Sequence, residues 1–253
     1  VSMTGQLGVV SGTAVDIVLS RRLQLGDPGG HMRRAMADFP IPEMGDRILD
    51  RYFIPGGKPA GAPFRPARAI PIQPTRERLE LTVVANFVEV HLAKEGHDGI
   101  VGVNLLEKIQ PPTLPSLFGA MLAGVDYVLM GAGIPRHIPG ALDRLSEGKA
   151  VELPLNVAGA RPGASHVVRF DPAEFCSGSI PWIERPRFLA IVASATLATM
   201  LARKADGRVD GFVVEGPTAG GHNAPPRGEP RLNDRGEPIY GQRDEVDLAA
   251  FRS

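Results

Sequence analysis

The residues best suited to chemistry lie near the end of the sequence, where positions 209–228 read VDGFVVEGPTAGGHNAPPRG. Residues 209–214 are a short apolar run, which predicts a buried strand. A loop of small residues follows, with His222 at its tip. Glycine lets backbone approach a ligand closely, and histidine exchanges a proton near neutral pH. This order predicts a site at the carboxyl end of a strand. A plain turn with a solvated imidazole explains the loop equally well, because one glycine-rich loop is a weak signal.

A second group of candidates follows two other apolar runs. Residues 100–106, IVGVNLL, predict a buried parallel strand in which Asn104 is the polar exception. A buried amide must find hydrogen-bond partners. Near the carboxyl end of a strand that partner is either a ligand or a loop backbone. Residues 188–194, FLAIVAS, predict another strand, and Ser194 is placed to cap the helix that follows.

The elements that position these residues alternate along the chain. Apolar runs predict strands at residues 7–10, 100–106, 127–130, 188–194 and 209–214. Helical periodicity is found at residues 15–25, 30–39, 44–53, 79–95, 115–122, 138–145 and 195–204. Alternating strands and helices predict an α/β fold with a parallel sheet. Five strands alone are consistent with either an open doubly wound sheet or a (β/α)8 barrel.

Several segments depart from this alternation. Residues 151–157 and 166–170 predict a hairpin. Residues 54–75 are rich in proline and glycine but too apolar for a free linker, which indicates an ordered excursion packed on the domain. Residues 228–244 are polar and predict an exposed loop or a mobile lid, and a helix is expected to begin at Val246.

The composition excludes some classes of function. The 253 residues carry 28 basic and 28 acidic side chains, so charge suggests neither a nucleic acid nor a membrane partner. No signal peptide or apolar run of membrane-spanning length is found. Cys176 is the one cysteine, which predicts a reducing, cytoplasmic location. No metal-ligand spacing is present, and His91, beside the apolar stripe of its helix, is predicted to be structural.

Two motifs resemble a known family. Glu215-Gly216 followed by Ala219-Gly220-Gly221-His222 resembles the signature loop of the nitronate monooxygenases, formerly called 2-nitropropane dioxygenases. The family's GVN pattern is similar to residues 102–104. Members of that family are FMN-dependent TIM barrels. The resemblance implies one FMN-binding barrel domain in which the five strands correspond to barrel strands two to six. It therefore implies an internal piece of a longer protein, without the first, seventh and eighth strands and much of the FMN phosphate site.

The resemblance also implies roles for individual residues. His222 corresponds to the family's catalytic base, which lies beside the flavin. The residues implied to contact FMN are Asn104, Ser194, Glu215, Gly216, Ala219, Gly220 and Gly221. Some family members carry a lysine where Ala193-Ser194 stands here, so this position itself offers the flavin no cation.

By this resemblance, FMN would take electrons from an alkyl nitronate and pass them to O₂, leaving a carbonyl compound and nitrite. FMN-dependent enoyl-thioester reductases share the barrel and a very similar loop, and the loop does not separate the two activities. A third reading is a non-catalytic, truncated barrel kept for partner binding. The sequence leaves the oligomeric state open, a homodimer included.

Overall fold

The computed structural model describes residues 1–67, 69–161, 165–217, 219–220, 224–229 and 231–249. The strands are β1 (Gly8–Ser11), β2 (Val101–Leu106), β3 (Tyr127–Gly131), β4 (Val151–Pro154), β5 (Val167–Phe170), β6 (Arg187–Val192) and β7 (Gly211–Val214). The helices are α1 (Val15–Gln24), α2 (His31–Ala37), α3 (Pro42–Tyr52), α4 (Arg76–Lys94), α5 (Thr113–Leu122), α6 (Ile138–Ser146), α7 (Pro172–Phe175) and α8 (Ala195–Lys204). Single turns of 3-10 helix lie at Ser2–Thr4, Pro28–Gly30 and Gln242–Asp244.

Five strands form one parallel sheet in the order β1-β2-β3-β6-β7. Each strand is added on the same side as the one before it, so the order of the described strands never reverses. A doubly wound sheet reverses its order at a switch point. The predicted α/β class and parallel sheet are confirmed, and this order is compatible with part of a barrel.

The two faces of the sheet differ in how well they are covered. Side chains alternate between the faces along a strand. On one face Val103, Val128 and Phe188 are at most 1% exposed. On the other face Ile191 is only partly buried, and Val9 is 45% exposed. We call these the covered face and the open face.

Helix α4 is the centre of the covered face, where it contacts β1 and β2 and packs along α1 and α5. The sequence predicted an amphipathic helix from residue 79, but α4 begins at Arg76 and is buried on nearly all sides between residues 80 and 88. Because sheet and helices surround it, a single apolar stripe does not describe it. Gly119 of α5 sits so close that an added Cβ would lie 2.1 Å from the Val83 carbonyl oxygen.

A buried carboxylate holds the start of α4. The Glu80 side chain is 3% exposed and accepts two hydrogen bonds from Arg47, at 3.0 and 2.7 Å, and one from Arg76, at 2.9 Å. Burial alone would raise the pKa of Glu80, but the bonds from Arg47 and Arg76 outweigh it and the pKa is lowered. Glu80 therefore stays ionised and ties α3 to α4.

The predicted hairpin is present as the antiparallel pair β4 and β5. It packs on the covered side through Phe118, Phe170 and Phe175, whose ring centroids lie 5.1 to 5.9 Å apart. Phe175 belongs to α7, which the sequence pattern did not predict because the helix has only four residues. Asp171 caps α7 by accepting hydrogen bonds from the backbone of Ala173 and Glu174.

The proline-rich excursion is packed on the domain, as predicted. The buried Gln24 amide accepts from the Arg65 backbone N–H at 2.6 Å and donates to the Arg65 carbonyl at 3.2 Å. The predicted end of β6 and the predicted start of a helix at Val246 were wrong. Strand β6 ends at Val192, two residues early, because Ser194 caps α8, and residues 246–248 are not helical. In the described part of the chain, no helix combines the length and apolarity needed to cross a membrane.

Candidate functional site

A cleft of about 170 Å³ lies at the carboxyl ends of the neighbouring strands β6 and β7. Its floor includes Ser194, which follows β6, and Glu215 and Gly216, which follow β7. Residues from the later segment, among them Arg227 and Tyr240, form its roof. The structure thus brings together three residues that the sequence singled out, although Ser194 is more than 20 positions from the other two.

Ser194 is held by the helix that it begins. Its Oγ accepts a hydrogen bond from the Leu197 backbone N–H at 3.2 Å, which confirms the predicted cap of α8. A hydroxyl that accepts in this way still has its own proton to donate. Ser194 can therefore serve the helix and a ligand at the same time.

Residues 215–217, 219 and 220 of the glycine loop are described. The Glu215 N–H donates to the Val192 carbonyl at 2.9 Å, and Ala219 donates to the Gly216 carbonyl at 3.0 Å. The Ala219 N–H is thus engaged in a turn, whereas an added Cβ on Gly216 or Gly220 would meet no atom of the described residues within 4 Å. With respect to the described residues, both glycines leave the room that close approach to a ligand requires. Gly221 and His222 lie outside the described residues.

The roof is tied to the cleft by hydrogen bonds. The Arg227 guanidinium donates to the Ala193 carbonyl at 2.9 Å, and the Tyr240 hydroxyl donates to the Ala224 carbonyl at 3.0 Å. Asp244 accepts from the backbone N–H groups of Gly241 and Arg227, both at 2.7 Å, and these bonds lower its pKa. The segment predicted to be an exposed loop or lid is therefore largely exposed but anchored.

Arg227 places a cation where the strand sequence has none. Ala193-Ser194 offers no positive charge at the end of β6, yet the exposed Arg227 guanidinium reaches the Ala193 carbonyl from the roof. A guanidinium retains several free donors after one hydrogen bond. Sequence reasoning missed this residue because its contact spans 34 positions of chain.

Asn104 lies on the open face, at the same carboxyl edge but outside the cleft. It pairs in register with Ser11 of β1 and Leu129 of β3. Its Oδ1 is buried without a hydrogen-bond partner, and its Nδ2 bonds to none of the described residues. Two strand spacings of ~4.8 Å put it roughly 10 Å from β6.

Comparison of the chain with models of known protein families, with curated proteins and with solved structures gave no match. Groups of three or more potential metal ligands are also absent from the described residues. What the site can do therefore follows from its own geometry. Along one edge of a parallel sheet it offers an amide with no hydrogen-bond partner among the described residues, two glycines, a serine hydroxyl and a guanidinium.

Proposed function

We propose that the protein is an FMN-dependent oxidoreductase similar to the nitronate monooxygenases. The observation that carries this proposal is the Asn104 amide, which is partly buried on the open face and makes no side-chain hydrogen bond to the described residues. A buried polar group without a partner costs about 1–3 kcal/mol, so a fold keeps one where something else will bond to it. A flavin ring edge carries both donors and acceptors and matches an amide.

The topology supports the same proposal. Strands that follow one another without reversal, with α4 and α5 on one face, are what an arc of a (β/α)8 barrel requires. In such a barrel the open face would be the interior, and active sites lie at the carboxyl ends of the strands. Asn104, Ser194 and Gly216 all lie at that edge.

The residues present fit the cofactor. Asn104 would bond the flavin ring edge, the Ser194 hydroxyl would donate to it, and Gly216 and Gly220 would let the loop backbone approach it. FMN would supply the redox chemistry when bound.

The proposed substrate is supported by the charge of the cleft and by a candidate group for proton transfer. A nitronate is an anion, and Arg227 provides a cation at the mouth of the cleft. His222 follows the same loop and would remove the proton beside the nitro group of a neutral nitroalkane, which forms the nitronate, a task suited to a neutral imidazole. Its role rests on the sequence motif, since it lies outside the described residues.

Turnover tests the proposal. The protein, with whatever its gene encodes on either side of this chain, is given FMN and neutral 2-nitropropane, and nitrite is measured. We expect nitrite release that falls at least 100-fold in His222→Asn and stays unchanged in His31→Asn, a surface control. Oxidation of NADPH that depends on an enoyl thioester, without nitrite release, would show that the protein is the enoyl-thioester reductase instead. Nitrite release at an unchanged rate in His222→Asn would remove His222 from the mechanism.

A further inference from the structure

A second pocket lies beside the carboxyl ends of β1 and β2, on the covered face and on the opposite side of the sheet from β6 and β7. It has a volume of about 280 Å³ and is lined by the β1–α1 loop at residues 12–17, by α4 and α5, and by Ile70, Ile109 and Pro112. Its wall is predominantly apolar. A cavity of ~150 Å³ is enough for benzene, so this one has room for a ring and a substituent.

One polar group in this wall lacks a partner. Asn86 of α4 is 1% exposed, and its Nδ2 donates to the Thr82 carbonyl of its own helix at 3.0 Å. Its Oδ1 is buried without a hydrogen bond. That oxygen would lie 3.2 Å from a Cβ on Gly12, another residue of the wall. Glycine at position 12 thus keeps the space beside the amide open.

The remaining polar side chains of the pocket are those of Thr13, Asp16, Thr82 and Ser116, which add three hydroxyls and no net charge. Ser116 of α5 is 2% exposed. Asp16, in the first turn of α1, is neutralised by Arg78 at 2.7 Å. The Thr82 hydroxyl is already bonded to the Arg78 carbonyl. The pocket therefore favours a neutral ligand.

We propose that this pocket binds a small neutral molecule with an apolar body and one hydroxyl group, and that Asn86 Oδ1 accepts the hydrogen bond from that hydroxyl. The carrying observation is a buried, unpartnered amide oxygen in the wall of an apolar cavity. The proposal does not depend on FMN, because Asn104 faces the opposite side of the sheet and the cleft lies at β6 and β7. The pocket is thus a separate binding site.

Two isomers provide the matched probes. Benzyl alcohol has a hydroxyl donor, whereas anisole has the same atoms and no donor. Titration of the isoleucine-methyl-labelled protein by NMR should shift the signals of Ile17, Ile70 and Ile109, which line the pocket, and saturate. The signals of Ile48 and Ile183, which lie elsewhere in the core, should not move. Failure of both probes to produce saturable shifts at the three lining residues, up to their solubility limits, would overturn the proposal.

The variant Asn86→Leu keeps the branched arrangement of the side-chain heavy atoms and removes the acceptor. We expect it to weaken the binding of benzyl alcohol relative to that of anisole by about two- to twelve-fold, which is the range for one hydrogen bond. The matched control, Asn104→Leu on the other face, should leave the ratio unchanged. An unchanged ratio in Asn86→Leu would rule out Asn86 as the group that recognises the hydroxyl. Should this variant not fold, the wild-type titration still decides whether the pocket binds.

Discussion

The Glu80 carboxylate at the start of α4 and two asparagines near the carboxyl edge of the sheet differ in how far the fold satisfies their hydrogen bonds. Glu80 accepts three hydrogen bonds from two arginines. Asn86 and Asn104 each keep a buried amide oxygen without a partner. The Glu80 carboxylate therefore serves stability, although Arg78 in the same first turns of α4 keeps its Nε and Nη1 buried without partners. The asparagines have hydrogen-bonding capacity left over, which is the condition for binding something else.

Glu80→Gln should have the largest effect on stability. The variant keeps the shape and loses the charge-assisted bonds from Arg47 and Arg76, so we expect a loss of about 1.5–3 kcal/mol in the free energy of unfolding at pH 7. Because the folded-state pKa of Glu80 is lowered, the wild-type advantage is complete above the unfolded pKa near 4.5. It is lost as the pH falls through the folded pKa.

Urea unfolding of both proteins from pH 7 to pH 3 checks this. The control is Glu77→Gln, on the same helix as Glu80. It removes the charge of an exposed partner of Arg51 and should lower the free energy of unfolding by less than 1 kcal/mol. A difference between wild type and Glu80→Gln that grows as the pH falls would contradict the assignment.

The two asparagines should respond in the opposite direction. Asn86→Leu and Asn104→Leu each remove an unpartnered buried oxygen, so we expect each variant to be as stable as the wild type or up to about 2 kcal/mol more stable. Calorimetry on the unliganded proteins measures this difference in stability. A loss of more than 1 kcal/mol in either variant would mean that the amide already has a structural role.

Arg227→Ala should change the roof and leave the core intact. The side chain is exposed, so we expect a change of less than about 0.5 kcal/mol in the free energy of unfolding. Loss of its bond to the Ala193 carbonyl should nevertheless free the segment around residues 227–244, which limited proteolysis would report as faster cleavage there. Arg231→Ala, in the same exposed segment, is the control. Equal cleavage rates in all three proteins would show that Arg227 does not anchor the roof.

Cys176 is expected to be the least responsive position. It is 8% exposed beneath the hairpin, and burial raises the pKa of its thiol to about 11. At pH 8 very little thiolate forms, so a disulfide reagent should react roughly two orders of magnitude more slowly than in urea. Equal rates with and without urea would show that the thiol is accessible in the folded protein.

The sequence anticipated the framework better than the site. Central parallel strands read as continuous apolar runs, so β2, β3 and β6 were found close to their true bounds. His91 was expected to be structural, and it is 26% exposed, stacked on Phe87 and 3.2 Å from Asp38. These predictions depend on patterns within one short segment.

The remaining features depend on contacts between distant segments. No local sequence pattern indicates that Arg227 contacts Ala193 or that Asn86 lies next to Gly12. In the sequence, Asn86 is one polar residue inside a helical apolar run, and only the packing around it shows that its oxygen has no partner. The end of β6 was missed for a related reason, because a helix cap competes there with the strand.

The most direct measurement is a titration of FMN with the protein, followed by flavin fluorescence. It is made on the chain as it stands and with the flanking sequence that its gene encodes. We expect saturable quenching that Asn104→Leu weakens at least ten-fold, while Asn86→Leu, on the opposite face, leaves it unchanged. If neither form of the wild-type protein binds FMN, or if Asn104→Leu binds it as tightly as the wild type, the proposed flavin site on the open face is contradicted.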